Sequence, residues 1–489
     1  MNQVYAHSKR YLAFKRLFAL LWLIPGWIYL FSQNTYTISG ISVIGSQKTK
    51  DWVILRELTF QVGGKVNESD LPAQITRSEQ NIYNLGLFNE VKIIPQPIGS
   101  QVTLIITVRE RWYLLGAPII GVEERNTYDL VQALSQGNFK RLVYGLSLTW
   151  RNVSGRNETL AFDGQLGFSK RLYIDFFRPA LFRKANIDGR IGFRYIDEKE
   201  IIIGTEAGKV QWRRVHTAPF QRSWEGFLGA RKRISLYQNL YTEISYQTFT
   251  FSDSLYQFSL NGGEVRYITH RDGKEYYPSL IMTFSDDRRD IKSFPLKGYK
   301  YQLLFRYTGP EGRLATTSFF KAGFTWAHHI PVGNRWNFAY GTHNIFTGGD
   351  SIPFFAKTFV GISRTEFPGV STQLRGYEPY AIDGTFVNMN KAEVKFAVIP
   401  RQIVHFPDIP FARFRDTPVG LYLTAFIDTG YILDNSFNNQ DDTFKGKILT
   451  GYGAGINMIG FYDVLLRIEY SRNHLHQGGI YFNTTVQIK

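Results

Sequence analysis

Short segments that alternate apolar and polar residues recur from residue 111 to residue 489, separated by clusters of Gly, Asn, Asp and Pro. In the segment from Tyr299 to Arg306, aromatic and aliphatic residues take every second position, and Lys300 and Gln302 fall between them. Alternation with a period of two predicts β-strands whose two faces meet different environments. No stretch in this part of the sequence has the periodicity of a long helix, so we predict that it is all-β.

The alternating segments have the length that a membrane-spanning strand requires, which is about ten residues for a strand tilted across a bilayer. Divided among 16 strands, the 379 residues of this part (489 − 110 = 379) give about 24 residues for each strand with its connection. Fourteen or eighteen strands fit nearly as well, and a soluble sandwich accounts poorly for the outward aromatic residues. We therefore predict a transmembrane antiparallel β-barrel at 111–489, with 16 strands as the preferred number.

The beginning of the chain has the pattern of a secretory signal peptide, which we assign to residues 1–32. Basic residues between Lys9 and Arg16 precede an apolar segment from Leu17 to Phe31. That segment contains a Pro-Gly pair and is shorter than the roughly 20 residues of a spanning helix. We expect cleavage near residue 32, with an uncleaved anchor as the alternative, and we expect the chain to leave the cytoplasm.

Residues 33–110 combine the helix and strand periodicities within a short length of chain. The predicted elements are a strand from Tyr36 to Ile44, a helix from Asp51 to Leu58, a helix from an Asn67 or Ser69 cap to Gly86, and strands from Val91 to Pro95 and from Gln101 to Val108. The order β-α-α-β-β predicts one compact α+β domain.

The connection after the second predicted helix, Leu85-Gly86-Leu87-Phe88 with Val91 close behind, resembles that of a polypeptide-transport-associated (POTRA) domain. Gly86 is expected to end the helix, Leu87 and Phe88 to fill the small core, and Val91 to start the strand pair. The resemblance implies a periplasmic domain whose sheet edge pairs with extended client polypeptides or partner proteins.

Six motifs of the barrel segment resemble, in the same order, those of the outer-membrane-protein-85 superfamily of BamA-like bacterial surface antigens. They are Asn152–Glu158, Tyr173–Phe182, Asp286–Asp290 with Phe294–Gly298, Leu374–Tyr377, Phe426–Gly430 and Gly451–Gly455. Together with the POTRA-like domain, they imply a barrel in the outer membrane of a Gram-negative bacterium, with the POTRA domain in the periplasm.

The Leu-Arg-Gly-Tyr motif at 374–377 resembles the part of a long extracellular loop that enters the barrel lumen in this superfamily. Alternation along the strand from Leu421 places Asp428 on the inward face, because a carboxylate facing lipid is costly. An inward Arg375 offers that carboxylate two parallel donors, a geometry that Lys lacks. The predicted loop latch comprises Arg375, Gly376, Tyr377, Asp428 and, as a second partner for the arginine, Glu393.

The composition agrees with a membrane barrel and narrows the possible chemistry. Aromatic residues make up 16% of the chain and Gly contributes 44 residues, as expected where lipid-facing and lumen-facing positions alternate. There is no Cys, the nine His residues lack metal-ligand spacing, and no nucleophile elbow or nucleotide-binding loop is found. We expect no enzymatic activity, no metal and no cofactor.

The net charge of +16 comes from 57 Lys and Arg against 41 Asp and Glu. The basic residues are scattered singly along the predicted strands and do not form a run with interleaved aromatic residues. This distribution indicates a basic lumen, or rims that face anionic lipid, and we expect no nucleic-acid partner.

The resemblance leaves three functions open. The first is insertion and assembly of outer-membrane proteins, in which the POTRA domain receives clients and the seam between the first and last strands templates insertion. The others are a polypeptide-secretion pore of the two-partner type and a passive structural barrel. The implied partners are outer-membrane lipid, unfolded outer-membrane proteins or a secreted polypeptide, and periplasmic lipoproteins. The closing strand is predicted from Tyr481 to Lys489, which ends on Lys where such barrels usually have an aromatic residue.

Overall fold

The structure is a computed structural model of the chain. It describes residues 35–122, 135–137, 139, 141–206, 208–214, 220–253, 273–312, 315–349, 352–361, 365–367, 370–434 and 443–485. The predicted signal peptide and the last four residues of the predicted closing strand lie outside these ranges. Among the described residues, no helix has the length and apolar character needed to cross a membrane.

Residues 35–110 form a small α+β domain. Its elements are β1 (Thr35–Ile44), α1 (Asp51–Leu55), β2 (Lys65–Asn67), α2 (Leu71–Tyr83), β3 (Phe88–Ile98) and β4 (Gln101–Glu110). The sheet order is β2-β1-β4-β3, with β1 parallel to β4 and the other pairs antiparallel. Ile38 and Leu104 of the sheet, Ile54 of α1 and Ile82 of α2 are fully buried and form the core with Leu87. The helices therefore cover one face of the sheet.

Several details of this domain differ from the sequence prediction. The first helix ends at Leu55 and not at Leu58, and β3 extends to Ile98 and not only to Pro95. Strand β2 was not predicted, because three residues are too few to establish an alternating pattern. The predicted cap at Asn67 or Ser69 is wrong: α2 begins after Asp70, with a Pro in its first turn fixing the helical backbone angle. Strand β3 begins at Phe88, three residues before the predicted start, because a bulge after Phe88 shifts its register against β4.

Beyond the POTRA-like domain, the described residues form one sheet of sixteen antiparallel strands, each hydrogen-bonded to the next along the chain. In order, the strands are Leu114–Val122, Leu142–Arg151, Thr159–Gly167, Lys170–Phe182, Ile187–Glu198, Gln221–Arg233, Gln238–Phe251, Lys274–Asp287, Gly298–Thr308, Phe319–Val332, Trp336–Gly348, Phe386–His405, Asp416–Leu433, Ile448–Ile459, Leu465–Asn473 and Gly478–Thr485. They are called the first to the sixteenth strand below. The predicted sixteen-stranded antiparallel fold is confirmed.

Alternation separates the two faces of the wall. In the ninth strand, Leu303 is 51% exposed, whereas its neighbour Gln302 is 4% exposed. In the thirteenth strand, Ile427 is 49% exposed and Asp428 is fully buried. Apolar side chains thus cover the surface that meets lipid, and polar side chains line the lumen.

The twelfth and thirteenth strands are longer than the membrane requires, with 20 and 18 residues. Two register shifts, after Ala397 and after Ile399, interrupt their pairing. Beyond these shifts the two strands continue on the periplasmic side as a hairpin that reaches the POTRA-like domain, where the amide of Asn89 donates to the carbonyl of Arg413 at 2.7 Å. Bulges of this kind redirect a strand pair away from the barrel wall.

Candidate functional site

Arg375 lies in the barrel lumen, at the tip of the connection between the eleventh and twelfth strands. Its Nη2 donates to Oδ1 of Asp428 at 2.7 Å and its Nε donates to Oδ2 at 2.8 Å. The backbone N–H of Arg375 also donates to Oδ2 of Asp428, at 3.3 Å. The structure therefore brings together the arginine and the carboxylate that the sequence analysis paired, and the contact is bidentate.

Two further carboxylates surround the same guanidinium. Its Nη1 donates to Glu393 at 2.8 Å and to Glu469 at 3.4 Å. The guanidinium also lies over the ring of Phe426, 3.6 Å from the ring centre. Arg375 is 8% exposed and Asp428 is fully buried, so neither charge is compensated by bulk water. The arginine is the cation that all three carboxylates contact, and Lys395 makes a second ion pair with Glu393 at 3.3 Å.

The loop backbone packs against the wall because two glycines leave room for it. Gly376 has φ +89°, a left-handed conformation that side chains other than Gly rarely adopt. At Gly451 of the fourteenth strand, an added Cβ would lie 1.8 Å from the carbonyl oxygen of Arg375. The amide of Asn473 then donates to the carbonyl of Gly376 at 3.0 Å. The Gly-rich motif at 451–455 is thus the surface on which the loop tip rests.

Tyr377 continues the attachment toward the extracellular side. Its ring is fully buried, and its hydroxyl accepts from the backbone N–H of Thr450 at 3.1 Å and contacts His474. The ring packs edge-on against Phe444, which belongs to the connection after the thirteenth strand. Tyr377 therefore joins the lumenal loop to the extracellular connections around it.

A second group of buried charges holds those extracellular connections together. Lys357 donates to Asp383 at 3.2 Å and to Asp434 at 2.7 Å, and Lys445 donates to the same two carboxylates at 3.2 and 3.3 Å. Thr205, in a hairpin between the fifth and sixth strands, also donates to Asp383. Three extracellular connections thus meet at one buried cluster above the latch.

The helical face of the POTRA-like domain lies across the periplasmic mouth of the barrel. Arg77 of α2 donates to the carbonyl of Arg289 at 3.2 Å, and Asn84, the residue that caps α2, donates to the carbonyl of Asp290 at 2.7 Å. Both carbonyls lie in the turn after the eighth strand. From the segment after α1, Glu57 accepts two hydrogen bonds from Arg233 at 2.6 and 2.7 Å. The domain is therefore fixed to two neighbouring periplasmic turns, those after the sixth and the eighth strands.

A buried ionic contact completes this interface. Asp463, in the turn between the fourteenth and fifteenth strands, accepts from Tyr83 at 2.7 and 2.8 Å, from Arg111 at 2.7 Å and from Arg401 at 3.0 Å. Burial opposes ionisation of Asp463, but the two arginines outweigh it and hold the pKa of this carboxyl below its usual value. No local sequence pattern predicts this contact, because 352 positions separate Arg111 from Asp463.

The predicted POTRA residues occupy the positions expected of a core and a helix end. Leu87 and Phe88 are fully buried, and Leu85 and Val91 pack against the same core. Gly86 follows α2 with φ +71°, and its carbonyl accepts from Arg151 of the second strand at 3.4 Å. The connection therefore belongs both to the core of the domain and to its contact with the barrel.

The outer edge of β3 lacks the donors that strand addition requires. The N–H of Ile93 points away from β4 and donates to the carboxylate of Glu79 on α2 at 2.8 Å. Because edge-facing groups recur at every second residue, Pro95 and Pro97 occupy the next two edge-facing positions and have no N–H. An incoming strand would find acceptors here and no free donor from Ile93 onward.

The outer edge of β1 has no such protection. Strand β2 covers only Thr35–Thr37, and no strand of the described chain pairs with the outer side of Gly40–Ile44. The sequence of this segment, Gly-Ile-Ser-Val-Ile, contains no charge and no Pro, the residues that commonly protect an edge. The POTRA-like sheet thus has one closed edge and one open edge.

The barrel sheet also has two edges in the described chain. The first strand is hydrogen-bonded only to the second, and the sixteenth only to the fifteenth. The first strand contains Pro118, and sheets accommodate Pro where its missing N–H faces an edge. The sixteenth strand begins with two consecutive Gly residues. Both edges of the seam therefore carry residues that weaken pairing.

Comparison with known families assigns both parts of the chain. A POTRA family model, described as surface antigen variable number repeat, matches residues 36–111, and the Omp85 superfamily domain matches residues 152–460. Outer envelope protein 80, chloroplastic, of Oryza sativa is 28% identical over 199 residues, which are 37% of this chain and 28% of the rice protein. Outer membrane protein assembly factor BamA of Neorickettsia risticii is 36% identical over 86 residues, 17% of this chain and 11% of that protein. The matches thus span less than a third of these relatives.

A solved structure shows the same fold at low sequence identity. CdiB from Escherichia coli superimposes with a TM-score of 0.54 at 11% identity, over 92% of this chain and 76% of that one. BamA from Haemophilus ducreyi lacking POTRA domains 1–3 gives a TM-score of 0.49 at 13% identity, over 92% and 84%. The Omp85 match extends over 309 residues (460 − 151 = 309), more than half of the chain. The chain therefore belongs to the Omp85 superfamily and is an outer-membrane β-barrel protein with a POTRA domain on the periplasmic side.

Proposed function

We propose that this protein inserts and assembles outer-membrane β-barrel proteins at the seam between its first and sixteenth strands. The observation that carries the proposal is that each of these strands has one hydrogen-bonded neighbour in the described chain. An edge strand presents N–H and C=O groups that pair with an incoming strand, so either edge can template a client hairpin. No catalytic group is needed, because strand pairing and burial in lipid supply the driving force.

The seam is suited to reversible pairing. Pro118 removes a donor near the middle of the first strand, and Gly478 and Gly479 give the sixteenth strand a flexible start. Each missing ladder hydrogen bond lowers the cost of separating the strands by about 1 kcal/mol. A seam weakened in this way opens at a smaller cost than a strand pair of the same length with an unbroken ladder.

The closure of the axial route favours insertion over transport through the lumen. The POTRA helices lie across the periplasmic mouth, and the Arg375 loop and the Lys357 cluster occupy the lumen and the extracellular side. A secretion pore or a passive channel requires these contacts to break, whereas opening the lateral seam breaks none of them. The contacts around Arg375 join the twelfth to fifteenth strands, so this part of the wall beside the seam moves as a unit.

We infer that an extended client reaches the POTRA sheet at the open edge of β1 and not at β3. The reason is the difference in available donors. Ile93, Pro95 and Pro97 present none at the β3 edge, whereas Gly40–Ile44 contains no Pro and no described strand pairs with its outer side. Unfolded outer-membrane proteins, with their alternating apolar residues, are the partners this edge suits. Periplasmic lipoproteins remain proposed partners for the solvent-facing side of the domain.

The name of the Neorickettsia relative, an outer membrane protein assembly factor, agrees with this proposal. The test is to reconstitute the purified protein in liposomes and to measure the folding rate of an added, urea-denatured β-barrel client, together with ion conductance in planar bilayers. The proposal predicts faster client folding with little steady conductance. Large steady conductance without any effect on client folding would contradict it and support a pore.

A further inference from the structure

The outer wall of the barrel carries a crevice of about 580 Å³ on the fourth to seventh strands. Its lining is mostly apolar and includes Phe176, Leu181, Ile191, Leu228 and Ile244. It also contains two cations, Arg178 and Arg190, of which Arg190 is paired with Asp175. Ile191, Leu228 and Ile244 are all more than half exposed, so these side chains face the surrounding membrane. A cavity of this volume is in the range of small-molecule sites. It lies away from the seam and plays no part in the function proposed above.

A bulge in the fourth strand creates the crevice. The register with the fifth strand jumps from Arg178 opposite Gly189 to Phe182 opposite Ile187, and the residues between them leave the ladder. Ala180 has φ +49°, a conformation that costs free energy in a residue other than Gly. The N–H of Ala180 donates to the carboxylate of Asp188 at 2.6 Å, which holds this conformation in place.

The supporting carboxylate is itself fixed. Asp188 is 1% exposed and accepts from Arg231 at 2.6 Å. On the outer side, Leu181 packs over Gly189, where an added Cβ would lie 2.7 Å from its Cδ2. The bulge belongs to the 173–182 motif, which takes part in neither the Arg375 latch nor the seam. A strained backbone held by a buried, ion-paired carboxylate indicates a built feature of the wall.

Arg178 is the unusual member of the lining. By strand alternation it shares the outward face with Phe176, while Asp175 and Phe177 face the lumen side, where they contact Arg190 and Arg231. Within the part of the chain that the structure describes, the guanidinium of Arg178 makes no hydrogen bond and no ion pair. A cation on a lipid-facing wall is costly unless an anion accompanies it.

The position of Arg178 indicates which anion. It lies four residues before the periplasmic end of the fourth strand, at about the depth where lipid phosphates begin. Lys184, in the turn that follows, and Lys232, at the periplasmic end of the sixth strand, are both exposed at the same end of the barrel. Arginine pairs two donors with phosphate oxygens, and basic clusters at this depth bind anionic headgroups.

We propose that the crevice binds one anionic glycerophospholipid of the periplasmic leaflet. The lipid phosphate pairs with Arg178, and one acyl chain fills the apolar crevice between Leu181, Ile191 and Leu228. Free phosphate could satisfy the guanidinium but would leave the crevice unfilled, so the proposal commits to the lipid.

The test is native mass spectrometry of the full-length protein, released from detergent after incubation with phosphatidylglycerol, with phosphatidylcholine or with inorganic phosphate. Arg178→Gln removes the cation, and Ala230→Leu fills the crevice, since Ala230 lies opposite Gly189. Arg222→Gln is the matched control, because Arg222 is an exposed cation at the extracellular end of the sixth strand. Heat-modifiable gel mobility verifies that each variant is folded.

We expect wild type and Arg222→Gln to retain one phosphatidylglycerol. Wild type should retain less phosphatidylcholine, whose headgroup has no net charge. Arg178→Gln should lower the phosphatidylglycerol occupancy about fivefold, and Ala230→Leu should lower the retention of both lipids. Equal retention by Arg178→Gln and wild type, or an equal loss in Arg222→Gln, would overturn the proposal. Displacement of the lipid by inorganic phosphate would reassign the site to a free anion and would also overturn it.

Discussion

Replacing Arg375 with Ala is the perturbation whose size the structure fixes best. The substitution removes the cation that Asp428, Glu393 and Glu469 share, and it leaves the fully buried Asp428 without its partner. Breaking a buried ion pair by removing one partner costs about 3 to 5 kcal/mol. Arg375→Lys keeps the charge but loses the bidentate geometry, so it should cost less than Arg375→Ala.

The assay is reversible urea unfolding of the protein in detergent or lipid, with heat-modifiable gel mobility as a second readout. Arg375→Ala should lower the free energy of unfolding by about 3 to 5 kcal/mol. The matched control is Arg171→Ala, because Arg171 makes an exposed 3.4 Å ion pair with Glu198. Exposed pairs of this kind contribute about 1 kcal/mol or less.

A double-mutant cycle separates the pair from its surroundings. If the bidentate contact is the source of the loss, Arg375→Gln combined with Asp428→Asn should cost at least 1 kcal/mol less than the sum of the single substitutions, roughly the interaction energy of residues in direct contact. Additivity within about 0.5 kcal/mol, or an unfolding free energy of Arg375→Ala within about 1 kcal/mol of wild type, would refute the reasoning.

Three further predictions concern the POTRA domain. Asp463→Asn leaves Arg111 and Arg401 facing each other without a carboxylate. The distribution of spin-label distances between the POTRA domain and the barrel should therefore broaden. A conservative substitution in an exposed extracellular turn is the control and should not change these distances. Because the folded pKa of Asp463 is depressed, its contribution to docking is complete above the unfolded pKa of 3.8 and is lost as pH falls through the folded pKa. The same spin-label distances should therefore be constant from about pH 7 to pH 5 and broaden only below about pH 4. Broadening at neutral pH would contradict this prediction. A photo-crosslinker at Ser42, beside the open edge, should capture a stalled unfolded client, whereas one at Gln96, on closed β3, should not, and the reverse pattern would refute the edge assignment.

The contact between Arg375 and Asp428 could be anticipated because strand alternation alone determines which carboxylates face the lumen. The same rule points to Glu393. Glu469 could not be anticipated in this way, because its approach depends on the placement of the fifteenth strand and on Gly455, which lies opposite it and has no side chain to separate it from the loop. Contacts across the lumen of a barrel depend on the register and curvature of its sheet. The local pattern of apolar and polar residues determines neither of these.

The docking of the POTRA domain shows a second limit of sequence reasoning. The order of its main elements follows from local periodicity, but the ionic contact of Arg111 with Asp463 joins the domain to a turn near the other end of the chain. The periplasmic hairpin beyond Ala397 was also missed, because its register shifts interrupt the alternation on which strand prediction relies. Interfaces between separately predicted units need the folded coordinates.

Covalent closure of the seam tests the central claim most directly. The chain has no Cys, so engineered pairs between residues 114–122 and 478–485 supply its only thiols. A pair at Gly116 and Leu148, within the first two strands, is the control, because those residues already face each other. The proposal predicts that an oxidised seam pair abolishes client insertion into liposomes and that reductant restores it, with no effect of the control pair. Full insertion activity with the seam crosslinked would contradict it.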